Sequence, residues 1–343
     1  MNITTRAATE TAMFTLRSLP RFTRTVLGSL LLPLALIPSG GAIAQSDYPN
    51  RPIKLIVPFA PSGGVDTLAR LMGEHLSRRL GQPFVIDNRP GAGTTIGSLA
   101  VARSAPDGYT LLMASSSFTA ATGLYPSLAY QIDKDFAPVA LLANSPVVLA
   151  VSPKTKASSV AEIVQSAKSA PGKLTSATYG NGSAPHLVSE LFQQMTGVKF
   201  LNVPYKGGGP AVLSTLMGET DMLFPTILPV RAHVASGKLK VLGIGSAKPS
   251  SLMPGVPTFK EQGVDLVAGT WFGVVAPAKT PTAIIERLNK EILALAKEPE
   301  FMKTLTGEGA EFMGGTPAEF GSFMQADQRR WTKIIADSQI KAE

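Results

Sequence analysis

The sequence contains no cysteine and only three histidines among 343 residues. Without cysteine it cannot be a disulfide scaffold, and a chain of this length that is 44% hydrophobic can build its core unaided. His75, His186 and His233 do not pair at metal-ligand spacing, so neither a metal nor a cofactor is expected. A Gly-x-Ser-x-Gly elbow is missing, because "GNGSA" (Gly180–Ala184) and "GIGSA" (Gly243–Ala247) have the wrong spacing. No Gly-Lys-Ser or Gly-Lys-Thr follows a glycine-rich turn, which excludes a nucleotide phosphate loop. "GAGTTIG" (Gly91–Gly97) places Ile96 where a dinucleotide fingerprint needs its third glycine, and it follows the second strand of the series rather than the first. With no nucleophile–base set in view, the chain does not read as an enzyme. There is no Lys/Arg run with interleaved aromatics either, so nucleic acid is not an expected partner.

The one long apolar stretch, "VLGSLLLPLALIPSGGAIA", follows a leader carrying Arg6, Arg17, Arg21 and Arg24 against Glu10 alone. A basic leader, a short apolar core broken by Pro33 and Pro38, and the small-x-small end Ala42-Ile43-Ala44 make residues 1–44 a secretory signal peptide. The apolar core falls short of the roughly 20 residues a membrane span needs. The leader is long, and Met13 offers a second start. Its removal takes away four of the 32 basic and one of the 24 acidic residues, leaving 28 against 23. That mild, scattered positive charge weakly favours anionic small ligands. The expected address is the periplasm, and the expected state a soluble monomer.

Past Tyr48, short apolar runs alternate with helical periodicity. "IKLIVPF", "FVID" and "DGYTLLMA" read as strands, with helices between them. Leu68, Leu71, Met72, Leu76 and Leu80 recur at helix spacing, and Gly81 follows as a stop. Strand–helix alternation predicts parallel sheets covered by helices. "SPVVLAVSP" (Ser145–Pro153) and "GTWFGVVAPAKTP" (Gly269–Pro281) are longer strand-like segments, and between them the rhythm restarts at Ser159 and Glu162, a capping-box pair. Helices over Thr282–Lys297 and Pro317–Ser338 close the chain. Two such α/β sets with two Pro-ended crossovers predict two lobes joined by a two-stranded hinge: residues 45–146 with 270–343, and residues 147–269.

In open α/β sheets, ligands gather beyond the carboxyl ends of the strands. Those ends here carry Phe59, Ala60, Ser62, Gly63, Gly64 and Asp66; then Ser115 and Ser116; then Gly182, Ser183 and His186; then Lys206 and Gly207; with Trp271 beside the hinge. Glycines and hydroxyls dominate. Backbone N–H groups at helix N-termini and neutral hydroxyls suit a carboxylate without a full countercharge. Each signal has a plainer structural reading: a tight turn at Gly63-Gly64, a helix-start carboxylate at Asp66, a hydrogen-bonding His186, core filling by Trp271.

The stretches "YPNRPIKLIVPFAPSGGVDTLAR", "GQPFVIDNRPGAGTTIGSLAVARSAPDGYTLLM", "PHLVSELFQQMTGVKFLNVPYKGGGPAV" and "PTFKEQGVDLVAGTWFGVVAPAKTP" resemble, in order, the extracytoplasmic solute receptors of tripartite tricarboxylate transporters, the Bug family. The likeness runs from about Tyr48 to Ala342. It implies a two-lobed fold in the type II periplasmic-binding-protein manner that closes on a small carboxylate. It also implies amide contacts from Phe59–Gly64, hydroxyl contacts from Ser115 and Ser116, second-lobe contacts at Gly182, Ser183 and His186, and a far wall of "PYKGG" and Asp221. Many relatives carry a pattern like "PFPAGGxxD" in the first loop; "PFAPSGGVD" keeps the glycine pair. The implied partners are two permease subunits, one large and one small. Alternatives are a receptor feeding a sensor kinase and an enzyme on the same scaffold. With no arginine in these loops except Arg89, a mono- or dicarboxylate suits the site better than a citrate-like trianion, and Trp271, Phe59 and Phe118 leave room for an aromatic acid.

Overall fold

The computed structural model describes residues 48–61, 64–205 and 207–341. The signal-peptide reading therefore falls outside the described residues, as do Ser62, Gly63 and Lys206.

The first sheet opens with β1 (Ile53–Val57), whose apolar run is buried on both faces. Helix α1 (Gly64–Leu80) carries the chain to β2 (Phe84–Asn88), and α2 (Thr95–Ala102) carries it on to β3 (Thr110–Ser115). Gly81 ends α1 in the left-handed region, φ 69°, and its N–H returns to Ser77 O, the stop read from the sequence. After α3 (Ser116–Leu124) and the single turn α4 (Ile132–Asp135), the long β4 (Phe136–Pro146) leads out of the sheet. The second sheet follows with β5 (Val148–Val151), α5 (Val160–Ser169), β6 (Thr175–Thr178), α6 (Ala184–Thr196), β7 (Leu201–Pro204), α7 (Gly208–Met217), β8 (Met222–Leu223), α8 (Leu228–Ala235) and β9 (Lys240–Ile244). The chain then returns as β10 (Gly269–Pro277) and finishes with α9 (Thr282–Ala294), α10 (Pro299–Gly307), β11 (Glu311–Phe312) and α11 (Pro317–Asp337).

The sheets run in the orders β11-β4-β10-β3-β1-β2 and β7-β6-β8-β5-β9. Only part of each is parallel. Strand β1 pairs parallel with β2 and β3, and β6 with β7 and β8, whereas β4, β5, β10 and β11 enter antiparallel. The expectation of parallel sheets is corrected to mixed ones. The reason is that β4 leaves the first sheet and β10 re-enters it alongside, in the opposite direction. Strand β4 itself, with Pro138 and Asn144 inside it, gave no alternating signal in the sequence.

"SPVVLAVSP" is also not one strand. It breaks at Val147, where the chain passes between sheets, and the return crossing is at Ala268. Three backbone bonds tie this point: Val147 N to Ala268 O (3.1 Å), Ala268 N to Gly245 O (2.9 Å) and Gly245 N to Val147 O (2.8 Å). A Cβ at Gly245 would lie 2.5 Å from Ala268 O, so only glycine lets the three segments meet. Helix α11 spans the two sheets' cores. It packs on α3, where Gly123 admits Thr332 and Ile335, while its Trp331, Ile334 and Ile335 join the apolar cluster of the second sheet.

Candidate functional site

A cavity of about 460 Å³ opens between loops from both sheets. Phe59 and Val65 bring the β1–α1 turn to its wall, and α1 begins there at Gly64. That turn is braced from behind. The Asp66 carboxylate, 2% exposed, accepts hydrogen bonds from Arg70 Nε (2.9 Å) and Nη2 (3.0 Å) and from Asn88 Nδ2 (2.8 Å). Asn88 Nδ2 also donates to Phe59 O at 3.1 Å. Asp66 thus ties α1 to β2 and holds the loop, off the cavity wall.

The β2–α2 loop supplies Gly93 and Thr94. Thr94 sits at φ 84°, a left-handed conformation that costs a β-branched residue on the order of 1–3 kcal/mol. Gly93, at φ 57°, lies so close to the Tyr125 ring that an added Cβ would be 2.7 Å away. From β3–α3 come Ser115, Ser116 and Ser117. From β6–α6 come Tyr179, Asn181, Gly182 and Ser183, and this loop is also braced: Gly182 N donates to His186 Nδ1 (3.0 Å) and Ser183 Oγ to Gly180 O (2.7 Å). Burial holds His186 below the usual imidazole pKa despite Glu190 nearby, which keeps Nδ1 free of a proton and able to accept. Burial also pushes the Tyr179 phenol up, so it stays a neutral donor.

Unsatisfied hydrogen-bonding capacity collects in this cavity. Among the described residues Thr94 Oγ1, Ser115 Oγ, Ser116 Oγ, Tyr179 OH and Trp331 Nε1 are buried without a hydrogen-bond partner, and all five residues line it. Each such group costs about 1–3 kcal/mol until it is paired. Among the described residues no Asp, Glu, Lys, Arg or His lines the cavity. The N-termini of α1, α2, α3 and α6 meet at the wall, and aligned helix dipoles there favour negative charge. The arrangement can hold an anion by neutral donors, with Leu124, Leu187 and Phe224 against an apolar body.

Of the residues picked out in the sequence, Phe59, Ser115, Ser116, Gly182 and Ser183 stand together on this wall. Ala60 and Gly64 are exposed beside it. Gly207 caps α7 away from it, and Asp66 and His186 brace loops rather than face it. Asp221 accepts from Thr175 N and Oγ1, both at 2.8 Å, and stitches β6 to the start of β8. Trp271, 2% exposed, donates Nε1 to Asp327 Oδ2 (2.8 Å) and packs edge-on against Phe320 and Phe323. Strand alternation turns it to a second hollow of about 240 Å³ on the far side of β10, while Thr270 faces the first. Phe118 is likewise buried, against Tyr130 and Phe136. The aromatic residues at the cavity are instead Phe59, Tyr125, Tyr179, Phe224 and Trp331. Thr94 lies just past β2, where the strand-end rule applies equally, but the surrounding "GAGTTIG" reads first as an imperfect nucleotide fingerprint. Trp331 had no local signal beyond its place on an amphipathic helix.

Two α/β halves around a donor-lined cleft are the build of a periplasmic binding protein. Residues 68–340 match the family described as tripartite tricarboxylate transporter family receptor. Protein BugT of Bordetella pertussis is 38% identical over 302 residues, 87% of this chain and 93% of that protein. Among solved structures, Rpa4515 of R. palustris with adipate aligns with a TM-score of 0.76 at 33% identity, covering 86% of this chain and 100% of the other. MatC from Rhodopseudomonas palustris with bound malate gives 0.72 at 32%, covering 84% and 100%. The chain belongs to the tripartite tricarboxylate transporter receptor family, the Bug family, whose members are solute-binding proteins.

Proposed function

We propose that this protein captures a small organic carboxylate in the periplasm, closes two lobes on it, and passes it unaltered to the membrane subunits of a tripartite tricarboxylate transporter. The lobes are residues 45–146 with 270–343, and residues 147–269, after a signal peptide of residues 1–44. The observation that carries the reading is the gathering of unpartnered hydroxyls and helix N-termini on one cavity without a lining cation among the described residues. The bound relatives support the ligand class, since one holds adipate and another malate. Thr94, Ser115, Ser116 and the amides of the β1–α1 turn take the carboxylate from one lobe, and Tyr179, Gly182 and Ser183 from the other. Contacts made to both lobes exist only in the closed form, so binding shifts the population toward it. Among the described residues the Ser115 and Ser116 hydroxyls have no hydrogen-bond partner, which leaves both able to donate to a carboxylate.

Differential scanning fluorimetry over mono- and dicarboxylates, sugars and amines tests the reading. A micromolar ligand, worth about −8 kcal/mol, present at a hundred times its Kd should add about 2.7 kcal/mol and raise Tm by on the order of 5 °C. Stabilisation by sugars or amines alone would overturn the carboxylate assignment. Pull-down of the closed protein with the two membrane subunits tests the delivery step.

A further inference from the structure

The cavity wall has an apolar sector. Ala120, Val147, Leu187, Phe224 and Trp331 line it, and all five belong to one buried apolar cluster. Within that cluster the indole Nε1 of Trp331, a residue 2% exposed, is buried with no partner among the described residues. The chain's other tryptophan shows the ordinary outcome, with Trp271 Nε1 bonded to Asp327. Buried indole N–H groups usually find an acceptor. The Trp331 ring is also held in place, because the Arg330 guanidinium lies 4.7 Å from its centroid while donating to Val267 O (2.9 Å) and to Asp327 Oδ1 (3.3 Å). A donor fixed in hydrocarbon surroundings selects for a matching acceptor on the part of the ligand that fills them. A second carboxylate would have to give up its water in an apolar sector with no lining countercharge among the described residues.

We infer that the ligand is an acid whose apolar body carries a neutral acceptor, such as a ketone or ether oxygen, and that Trp331 Nε1 is the specificity-determining donor that reads it. This deepens the proposed function and rests on it.

Isothermal titration of the purified protein with matched pairs tests the inference. The pairs are hexanoate with 5-oxohexanoate, heptanoate with 6-oxoheptanoate, and cyclohexanecarboxylate with 4-oxocyclohexanecarboxylate; adipate and malate serve as dicarboxylate references. In at least one pair the oxo acid should bind about tenfold more tightly. In Trp331→Phe the oxo acid and its parent should bind equally, within about threefold of each other, whatever the change in their common affinity. If Trp331→Phe fails to fold, nitrogen-15 NMR of the unsubstituted protein decides the matter. Two tryptophans give two indole N–H signals, and the Trp331 signal should move with the oxo acid and not with its parent, while Trp271, already paired, stays put with both. Equal affinities within every pair, a preference that survives Trp331→Phe, or a Trp331 signal unmoved by any oxo acid overturns the inference. Binding of adipate or malate alone overturns it too, while leaving the carboxylate reading intact. Binding of no carboxylate at all sinks the carboxylate reading itself.

Discussion

Two sets of helix N-termini in this molecule use the same residue types in opposite ways. At α11 the Thr316 hydroxyl accepts from Glu319 N, and the Glu319 carboxylate accepts in turn from Thr316 N, a closed capping box. At α5 Ser159 accepts from Glu162 N, although the Glu162 carboxylate turns to Ser158 N and Oγ and leaves the expected box half made. At the cavity, Thr94 and Ser115 occupy the N-cap positions of α2 and α3, and neither hydroxyl bonds its own helix. Helices α5 and α11 use their cap hydroxyls to stabilise themselves, whereas α2 and α3 at the cavity do not. A cap position therefore reveals function when a residue able to close it does not.

The largest expected effect comes from blocking the open set outright. Gly64→Trp, at the first residue of α1, should lower ligand affinity at least a hundredfold and leave the ligand-free melting curve unchanged, because a Cβ there meets nothing within 4 Å. Calorimetric titration beside a ligand-free melt checks both halves.

The comparison is sharpest in a crossed pair. Thr316→Ala should cost about 1–2 kcal/mol of stability with affinity untouched. Ser116→Ala should cost about 1–2 kcal/mol of binding, roughly tenfold, with ligand-free stability equal or slightly higher because an unpaired buried hydroxyl is gone. Denaturant melts and titrations of both variants should give opposite columns; parallel losses would break the distinction. Thr94→Gly follows with a smaller change. It should relieve the left-handed backbone and raise ligand-free stability by about 1 kcal/mol while weakening binding through the lost hydroxyl.

The smallest effect is that of pH on the His186 brace. Unfolded chains protonate this imidazole near its ordinary value of about 6.5, and folded ones only at lower pH because burial opposes the charge. Stability is thus full above that value and declines as the pH falls toward the folded pKa. Denaturant melts from pH 7.5 to 5 should show the decline, and His186→Gln should flatten it.

Much of this was legible in the chain itself. The strand–helix rhythm placed most elements, and the strand-end rule reached Phe59, Ser115, Ser116, Gly182 and Ser183 because each lies at or just past a strand whose apolar run is local in sequence. Strand β4 was not legible: as an inner strand between β10 and β11 it is mostly buried on both faces, so "FAPVALLANSP" carries no period. Nor could the sequence choose between two tryptophans. Trp271 sits next to Thr270, and only the register of β10 decides which of them faces the cavity. Trp331 arrives from a helix more than a hundred residues away from the loops it joins, a distance that no local pattern spans.

Helix α11 closes the described part of the chain, yet its Trp331 is part of the cavity wall and its Asp327 holds both Thr119 of α3 and Trp271 of β10. A nascent chain halted before this helix would have every strand and still no finished pocket.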